Sequence, residues 1–228
     1  MIKEIRLVIF DLDGTLIDAY AAIADSFNHV MRRMGLPIKP AGVIRKAVGG
    51  GDANLLRPFV PVSDLKRALV IYRRHHASAL RGKSRLLPGA AGLMEDLRKR
   101  GIRMAVASNR PTRFSRILLE YFGLDKRFAY VLCADKLKKG KPDPLILRRI
   151  LRKLKIRPEN ALYVGDMDID ALTGRRAGVR TAIVLTGSGE RKEIRSVSPW
   201  KIVRNLEELR KILTRLALYY KIKTVGHI

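Results

Sequence analysis

The 228-residue chain has one cysteine, one tryptophan and no glutamine. A lone cysteine, Cys133, excludes an internal disulfide framework and fits a reducing compartment. It closes the apolar segment from Ala129 and reads as a small buried residue, not as a reactive thiol. No apolar run approaches the length needed to cross a bilayer, and the first residues form no cationic-then-apolar leader. The expectation is a cytoplasmic protein with no membrane partner. Repeats and low-complexity segments are absent. Missing glutamine agrees with avoidance of thermolabile amides. Acidic residues are also scarce: 21 Asp+Glu face 47 Lys+Arg, a formal net charge of +26. Such an excess admits nucleic acid as a partner. The cations are spread out, however, in pairs such as Arg32-Arg33, Lys66-Arg67, Arg73-Arg74, Arg148-Arg149 and Arg152-Lys153. That is the pattern of solvated helix faces, and it disfavours nucleic acid.

What is present is regular. Hydrophobic residues make up 47% of the chain, enough for a substantial core. Ile5 to Phe10 is a short β-branched run of the kind buried in parallel sheets. From Ile17 the spacing becomes helical through Ile17, Tyr20, Ala21, Ala24, Phe27, Met31 and Met34, and stops at Gly35 and Pro37. Gly49-Gly50-Gly51 follows, then a second helical run from about Ser63 to Leu80, with a return linker from Gly82 to Pro88. Strands and helices alternate from there. Strands are predicted at 102–107, 130–133, 161–164 and 180–185, and helices at 90–100, 113–122, 144–154 and 170–177. A C-terminal helix carries Leu206, Leu209, Ile212, Leu213, Leu216 and Tyr219, with a Tyr219–Lys223 tail available to a partner. Alternation of this kind predicts an α/β fold with a Rossmann-like parallel sheet core. The core is expected at 1–16 and 86–228, with an all-helical cap inserted at 17–85.

Ligands of such sheets bind beyond the carboxyl ends of the strands. Polar residues stand there. Asp11 and Asp13 follow the first strand, Ser108-Asn109 end another, and Gly165-Asp166-Met167-Asp168-Ile169-Asp170 end a third. Lys138-Lys139-Gly140-Lys141-Pro142 precedes a helix. Clustered carboxylates repel one another unless protons or a cation compensate. Oxygen ligands without His or Cys favour Mg2+ over zinc. A lysine, a hydroxyl and magnesium suit a phosphoryl group, and a carboxylate can attack one to form an acyl-phosphate. The histidines His29, His75, His76 and His227 have no metal-binding spacing.

These segments, "DLDGT", "SN", "KP" and "GDMDID" in that order, resemble the four motifs of the haloacid dehalogenase-like (HAD) phosphatase superfamily, from Asp11 to Asp170. The resemblance implies that Asp11 is the nucleophile and Asp13 the general acid/base, with its main-chain carbonyl on the metal. A dehalogenase lacks that second acid and is disfavoured. It further implies that Thr15 supports Asp13 beside the substrate, that Ser108, with Asn109, holds the phosphoryl group, and that Lys141 neutralises charge. Asp166 would bind Mg2+ directly, and Asp170 directly or through water. Residues 45–55, with Gly50 at their centre, look like the cap loop of phosphoglycolate phosphatases. Arg45 in this loop is either a partner for a substrate carboxylate or a surface charge. Ser108-Asn109-Arg110-Pro111 stands where those proteins more often have Thr-Asn-Lys-Pro, and Asp52 would repel an anion if it faced the site. The expected activity is magnesium-dependent hydrolysis of 2-phosphoglycolate or a similar small phosphorylated metabolite, by a monomer or homodimer. The alternatives are a broad-specificity phosphatase, a sugar-phosphate mutase, a nucleic-acid end phosphatase and a nucleic-acid-binding module.

Overall fold

The computed structural model describes residues 4–225, with side chains through residue 217. Strand β1, Leu7–Phe10, is fully buried on both faces. It runs parallel to β4 on one side and β6 on the other, so no edge of its ladder meets solvent. In chain order the elements are β1, β2 (Ile17–Asp18), α1 (Tyr20–Arg33), α2 (Ala41–Lys46), α3 (Asp52–Leu56), α4 (Leu65–Lys83), β3 (Arg85–Leu86), α5 (Ala90–Lys99), β4 (Arg103–Ser108), α6 (Thr112–Tyr121), β5 (Tyr130–Cys133), α7 (Leu145–Leu154), β6 (Ala161–Gly165), α8 (Asp168–Ala177), β7 (Arg180–Val184), α9 (Arg191–Ser196), β8 (Lys201–Val203) and α10 (Leu206–Val225). The main sheet has the order β5-β4-β1-β6-β7-β8 and is parallel throughout. After β1 the chain adds β4 and β5 on one side, then returns to place β6 on the other. This reversal opens a crevice at the carboxyl end of β1.

Helices α1 to α4 form the cap inserted between β2 and β3. The helix predicted from Ile17 begins instead at Tyr20, because Ile17-Asp18 is spent on a strand. Asp18 Oδ1 accepts the backbone N–H of Tyr20 at 3.3 Å and so opens the helix. β2 pairs antiparallel with β3, Ile17 opposite Leu86 and Asp18 opposite Arg85. The Arg85–Asp18 ion pair, 2.8 Å, joins the chain's exit into the cap to its return. The predicted return linker is therefore the end of α4 plus a strand. Within the cap, the glycine loop is flanked by the short helices α2 and α3. The core is continuous across cap and sheet: Phe27, Ile44, Leu56 and Tyr72 of the cap belong to the same buried cluster as Val8, Phe10 and Val106. The short elements β2, β3, α2, α3, α9 and β8 were not predicted.

Helix α10 buries Leu206, Leu209 and Leu213 against the core. It is tied to α5 by Arg100 Nη2 donating to Thr214 Oγ1 at 2.6 Å and by the Arg210–Asp96 pair. The side chains of Tyr219 to Lys223, and all of His227, lie outside the described residues. The five basic pairs named above are exposed. Cys133 is buried, its thiol pushed up by burial, and donates to Ser115 Oγ at 3.3 Å. Among the described residues no helix is long and apolar enough to cross a membrane.

Candidate active site

Three neighbouring strands deliver the polar residues. Asp11 follows β1, Ser108 ends β4 and Asp166 follows β6. Asp11, Asp166 and Asp170 are buried, and carboxylate oxygens from the three lie within 4.8 Å of one another. Lys141 joins them: its Nζ is 2.9 Å from Asp11 Oδ2 and 2.7 Å from Asp170 Oδ1, with the side chain 1% exposed. Lys138 and Lys139 point to solvent.

Burial is the largest cause of the Asp11 shift. With repulsion from Asp170 and Asp13, it outweighs the Lys141 attraction and raises the group from 3.8 to about 6. Asp166 is pushed well above the usual carboxylate range by burial, then by Asp170 and Asp11. Burial opposes the charge on Lys141, but Asp11 and Asp170 together hold it above its ordinary value. One cation thus faces three carboxylates, a net negative site.

The donor set can hold a divalent cation. Asp11 Oδ1 is buried without a hydrogen-bond partner. Asp166 makes only long contacts through Thr15 Oγ1, 3.3 Å, and Tyr20 Oη, 3.5 Å, besides accepting the Ser188 N–H at 3.0 Å. Asp170 is different. Its Oδ1 accepts from Lys141 Nζ and Tyr163 Oη, each 2.7 Å, and its Oδ2 accepts the N–H groups of Asp166 and Met167, each 3.1 Å. Four donors fill its lone pairs, so Asp170 suits the orientation of Lys141 and of the Asp166 loop. Glycine makes this packing fit. A Cβ on Gly165 would run into the Asp170 carboxylate, and one on Gly187 into that of Asp166.

The other sequence-named residues fall into two groups. Ser108 and Asn109 line a narrow cavity with Asp11 and Asp13. Asn109 Nδ2 donates to Gly49 O at 2.8 Å and to Lys141 O at 3.1 Å, and Oδ1 accepts the Lys141 N–H at 2.8 Å. It therefore ties the cap loop to the lysine loop. Thr15 and Gly50 do not line this cavity: Thr15 is fully buried against Asp166, and Gly50 is exposed and packs on Asn54. Gly49 and Gly51 form the wall in its place. Arg45 is engaged elsewhere. Its Nη2 donates to the carbonyls of Thr186 and Gly187, both 2.9 Å, and its guanidinium stacks on Tyr20 at 4.0 Å. Asp52 does reach the mouth of the cavity, but Arg73 pairs with it at 2.7 Å.

Several site residues were not read from the sequence. Tyr163, on β6, fixes Lys141 and Asp170 through its hydroxyl. The loop after β7 holds Asp166 through Ser188 and holds the Asp13-Gly14 turn through Thr186 Oγ1, which donates to Gly14 O at 2.6 Å. Arg110 grips Asp13 by Nε to Oδ2, 2.8 Å, and Nη2 to Oδ1, 2.6 Å. Its Nη1 reaches His76 Nε2 of the cap at 2.8 Å. A polar residue cluster after a fourth strand, Thr186-Gly187-Ser188-Gly189, was the available signal for the β7 loop.

The cavity is small, about 50 Å³ measured at water centres. It adjoins a groove of about 440 Å³ by the same measure, which shares Gly51, Asp52, Asn109, Pro111 and Phe114 with it. Buried carboxylates, one lysine and a hydroxyl meet at a parallel-sheet switch point, and the carboxylates are close enough together to hold a metal ion. Residues 8–184 match the model of the haloacid dehalogenase-like hydrolases, and the chain belongs to that family. It is 31% identical to phosphoglycolate phosphatase 1 of Pseudomonas aeruginosa, over 90% of this chain and 78% of that one. It is 33% identical to the N-acetylmuramic acid 6-phosphate phosphatase of Pseudomonas putida, over 81% of this chain and 84% of the other. A solved structure, of a predicted phosphoglycolate phosphatase from Haemophilus somnus, has the same fold. Its TM-score is 0.87 at 24% identity, covering 93% of this chain and all (100%) of that one.

Proposed function

We propose that the protein is a magnesium-dependent phosphomonoester hydrolase that works through an aspartyl-phosphate on Asp11, acting on a small phosphorylated carboxylic acid such as 2-phosphoglycolate. The observation that carries this reading is the state of Asp11. One oxygen is held by Lys141, while the other is buried without a hydrogen-bond partner, in a residue that lines the cavity together with Ser108. Bound between Asp11 and Asp166, Mg2+ would neutralise charge and let an anionic nucleophile approach a phosphate dianion. Asp11 attacks phosphorus as the ester P–O bond breaks, and the departing alkoxide takes a proton from Asp13. A water then attacks phosphorus, its proton passes to Asp13, and the bond between Asp11 and phosphorus breaks to release phosphate. Lys141, oriented by Asp170 and Tyr163, balances the charge on Asp11 and the phosphoryl oxygens. Both relatives described above are named for phosphorylated carboxylic acids, which supports the substrate class. The narrow cavity beneath the cap supports small substrates over protein or nucleic-acid ends.

A panel of phosphomonoesters assayed with Mg2+, with calcium and with chelator tests the proposal, with a salt titration of DNA binding alongside. Turnover of small phosphomonoesters with Mg2+ alone is expected. Salt-sensitive DNA binding without any phosphatase activity would replace it with the nucleic-acid reading.

A further inference from the structure

Among the described residues, Arg110 is the only lysine or arginine lining the narrow cavity, and it is paired with Asp13. Its side chain is 5% exposed, and its two N–H donors meet both carboxylate oxygens in the parallel fork that guanidinium forms with a carboxylate. The third arm is held by the cap. Ser26 Oγ donates to Ala22 O at 2.8 Å, which leaves its lone pairs to accept from His76 Nδ1 at 3.0 Å and His75 Nδ1 at 3.2 Å. His76 Nε2 is then free to accept from Arg110 Nη1. Tyr72 stacks on the imidazole at 4.7 Å and Phe114 meets its edge at 5.0 Å. Burial, and then Arg110, push His76 down to about 2, which keeps the acceptor form. The guanidinium is thus held at the wall of the cavity between Asp13 and the cap residue His76.

The pairing conflicts with the proton transfer assigned to Asp13. Each oxygen keeps a lone pair outside the fork, but an Asp13 that carries the proton for the leaving oxygen is neutral and leaves the guanidinium without its counter-charge. The fork therefore loosens in each catalytic cycle, and a buried guanidinium released from one anion needs another. A carboxylate on the leaving group has the matching shape and charge. We infer that Arg110 is a specificity-determining residue: it moves from Asp13 to the substrate carboxylate, and in doing so frees Asp13 for the leaving oxygen. A neutral leaving group offers no replacement and leaves Asp13 occupied. This inference rests on the hydrolase reading above and names the residue that selects the substrate class.

The test compares 2-phosphoglycolate with ethyl phosphate, similar in size but uncharged on the leaving side, in the wild-type enzyme and in Arg110→Lys and Arg110→Gln. Wild type should prefer 2-phosphoglycolate. The ratio of the two kcat/KM values should fall roughly ten- to hundredfold in Arg110→Gln, the worth of a charge-assisted hydrogen bond or two. It should fall less in Arg110→Lys, which keeps the charge and loses the fork. Calorimetric titration with glycolate gives a second readout independent of turnover: binding to wild type should weaken in both variants, with thermal unfolding confirming that they are folded. A ratio unchanged in both variants, or glycolate binding unchanged, would overturn the role of Arg110 while leaving the hydrolase reading in place. Absence of turnover of either ester by wild type would instead refute the hydrolase reading, and the glycolate titration would still decide whether Arg110 receives a carboxylate.

Discussion

At the scale of the residue, Asp11 and Asp13 do different work because they meet different partners. Asp11 sits against Lys141 with one oxygen bare, and Asp13 sits against Arg110 with one N–H donor on each oxygen. Asp11→Asn should keep the fold and abolish steady-state turnover, measured in a preparation free of other phosphatases. Asp13→Ala should cost about a hundredfold to ten-thousandfold in kcat, the usual range for general acid/base help. That loss should shrink for esters with good leaving groups; an equal loss across leaving groups would contradict proton donation. The motif residues were legible because most lie within a few positions of a strand end and Lys141 stands in a loop just before a helix. Arg110, His76 and Tyr163 were not. Arg110 and Asp13 are 97 positions apart, and an arginine in so basic a chain looks like one more surface charge until burial singles it out. The resemblance placed Thr15 in support of Asp13, beside the substrate. The turn directs it to Asp166 instead.

At the scale of the element, the short loops set the geometry. Gly49 has φ 128°, and a side chain there would press on Met167 Sδ at 2.8 Å. Gly50 has no such constraint and faces the Asn54 side chain. Gly49→Val should therefore lower kcat/KM for 2-phosphoglycolate by about tenfold more than Gly50→Val, because misplaced cap walls lose substrate orientation. Equal effects would show that the loop is only a turn remote from the substrate. Gly187→Ala should raise the Mg2+ concentration needed for half-maximal activity and cost about 1–3 kcal/mol of stability, since its Cβ displaces the Asp166 carboxylate. Activity against Mg2+ concentration and a denaturant titration measure the two. The long strands and helices of the core were legible from periodicity. The strands β2 and β3, two residues each, were not, because an alternation that short carries no period. Helix α9 and strand β8 escaped for the same reason: each is short, and four of the six residues of α9 are charged.

At the scale of the molecule, a cap and a sheet share one core and enclose a site that holds more buried acid than base. Metal-free stability should register this. The folded value of Asp11 is raised from 3.8 to about 6, so between those values the folded chain binds a proton that the unfolded chain does not. Its contribution is greatest at the acid end, falls as pH rises through that window and stays low above it. Asp166 extends the window upward. Exposed ion pairs act in the opposite sense, so the difference between wild type and Asp11→Asn isolates the group. In chelator, the thermal midpoint of Asp11→Asn relative to wild type should rise from pH 4 to pH 6, and Mg2+ should diminish the difference. A constant difference would contradict the strain assigned to Asp11. The central claim is the covalent step itself. The most direct test uses Asp13→Asn with p-nitrophenyl phosphate and Mg2+, where a good leaving group needs no proton for the first step and the second step lacks its base. Mass spectrometry of the acid-quenched protein should find one phosphoryl group per chain, on the peptide carrying Asp11, and none when Mg2+ is withheld. A burst of nitrophenolate with Asp11 unmodified, or with the phosphoryl group on another side chain, would contradict the account.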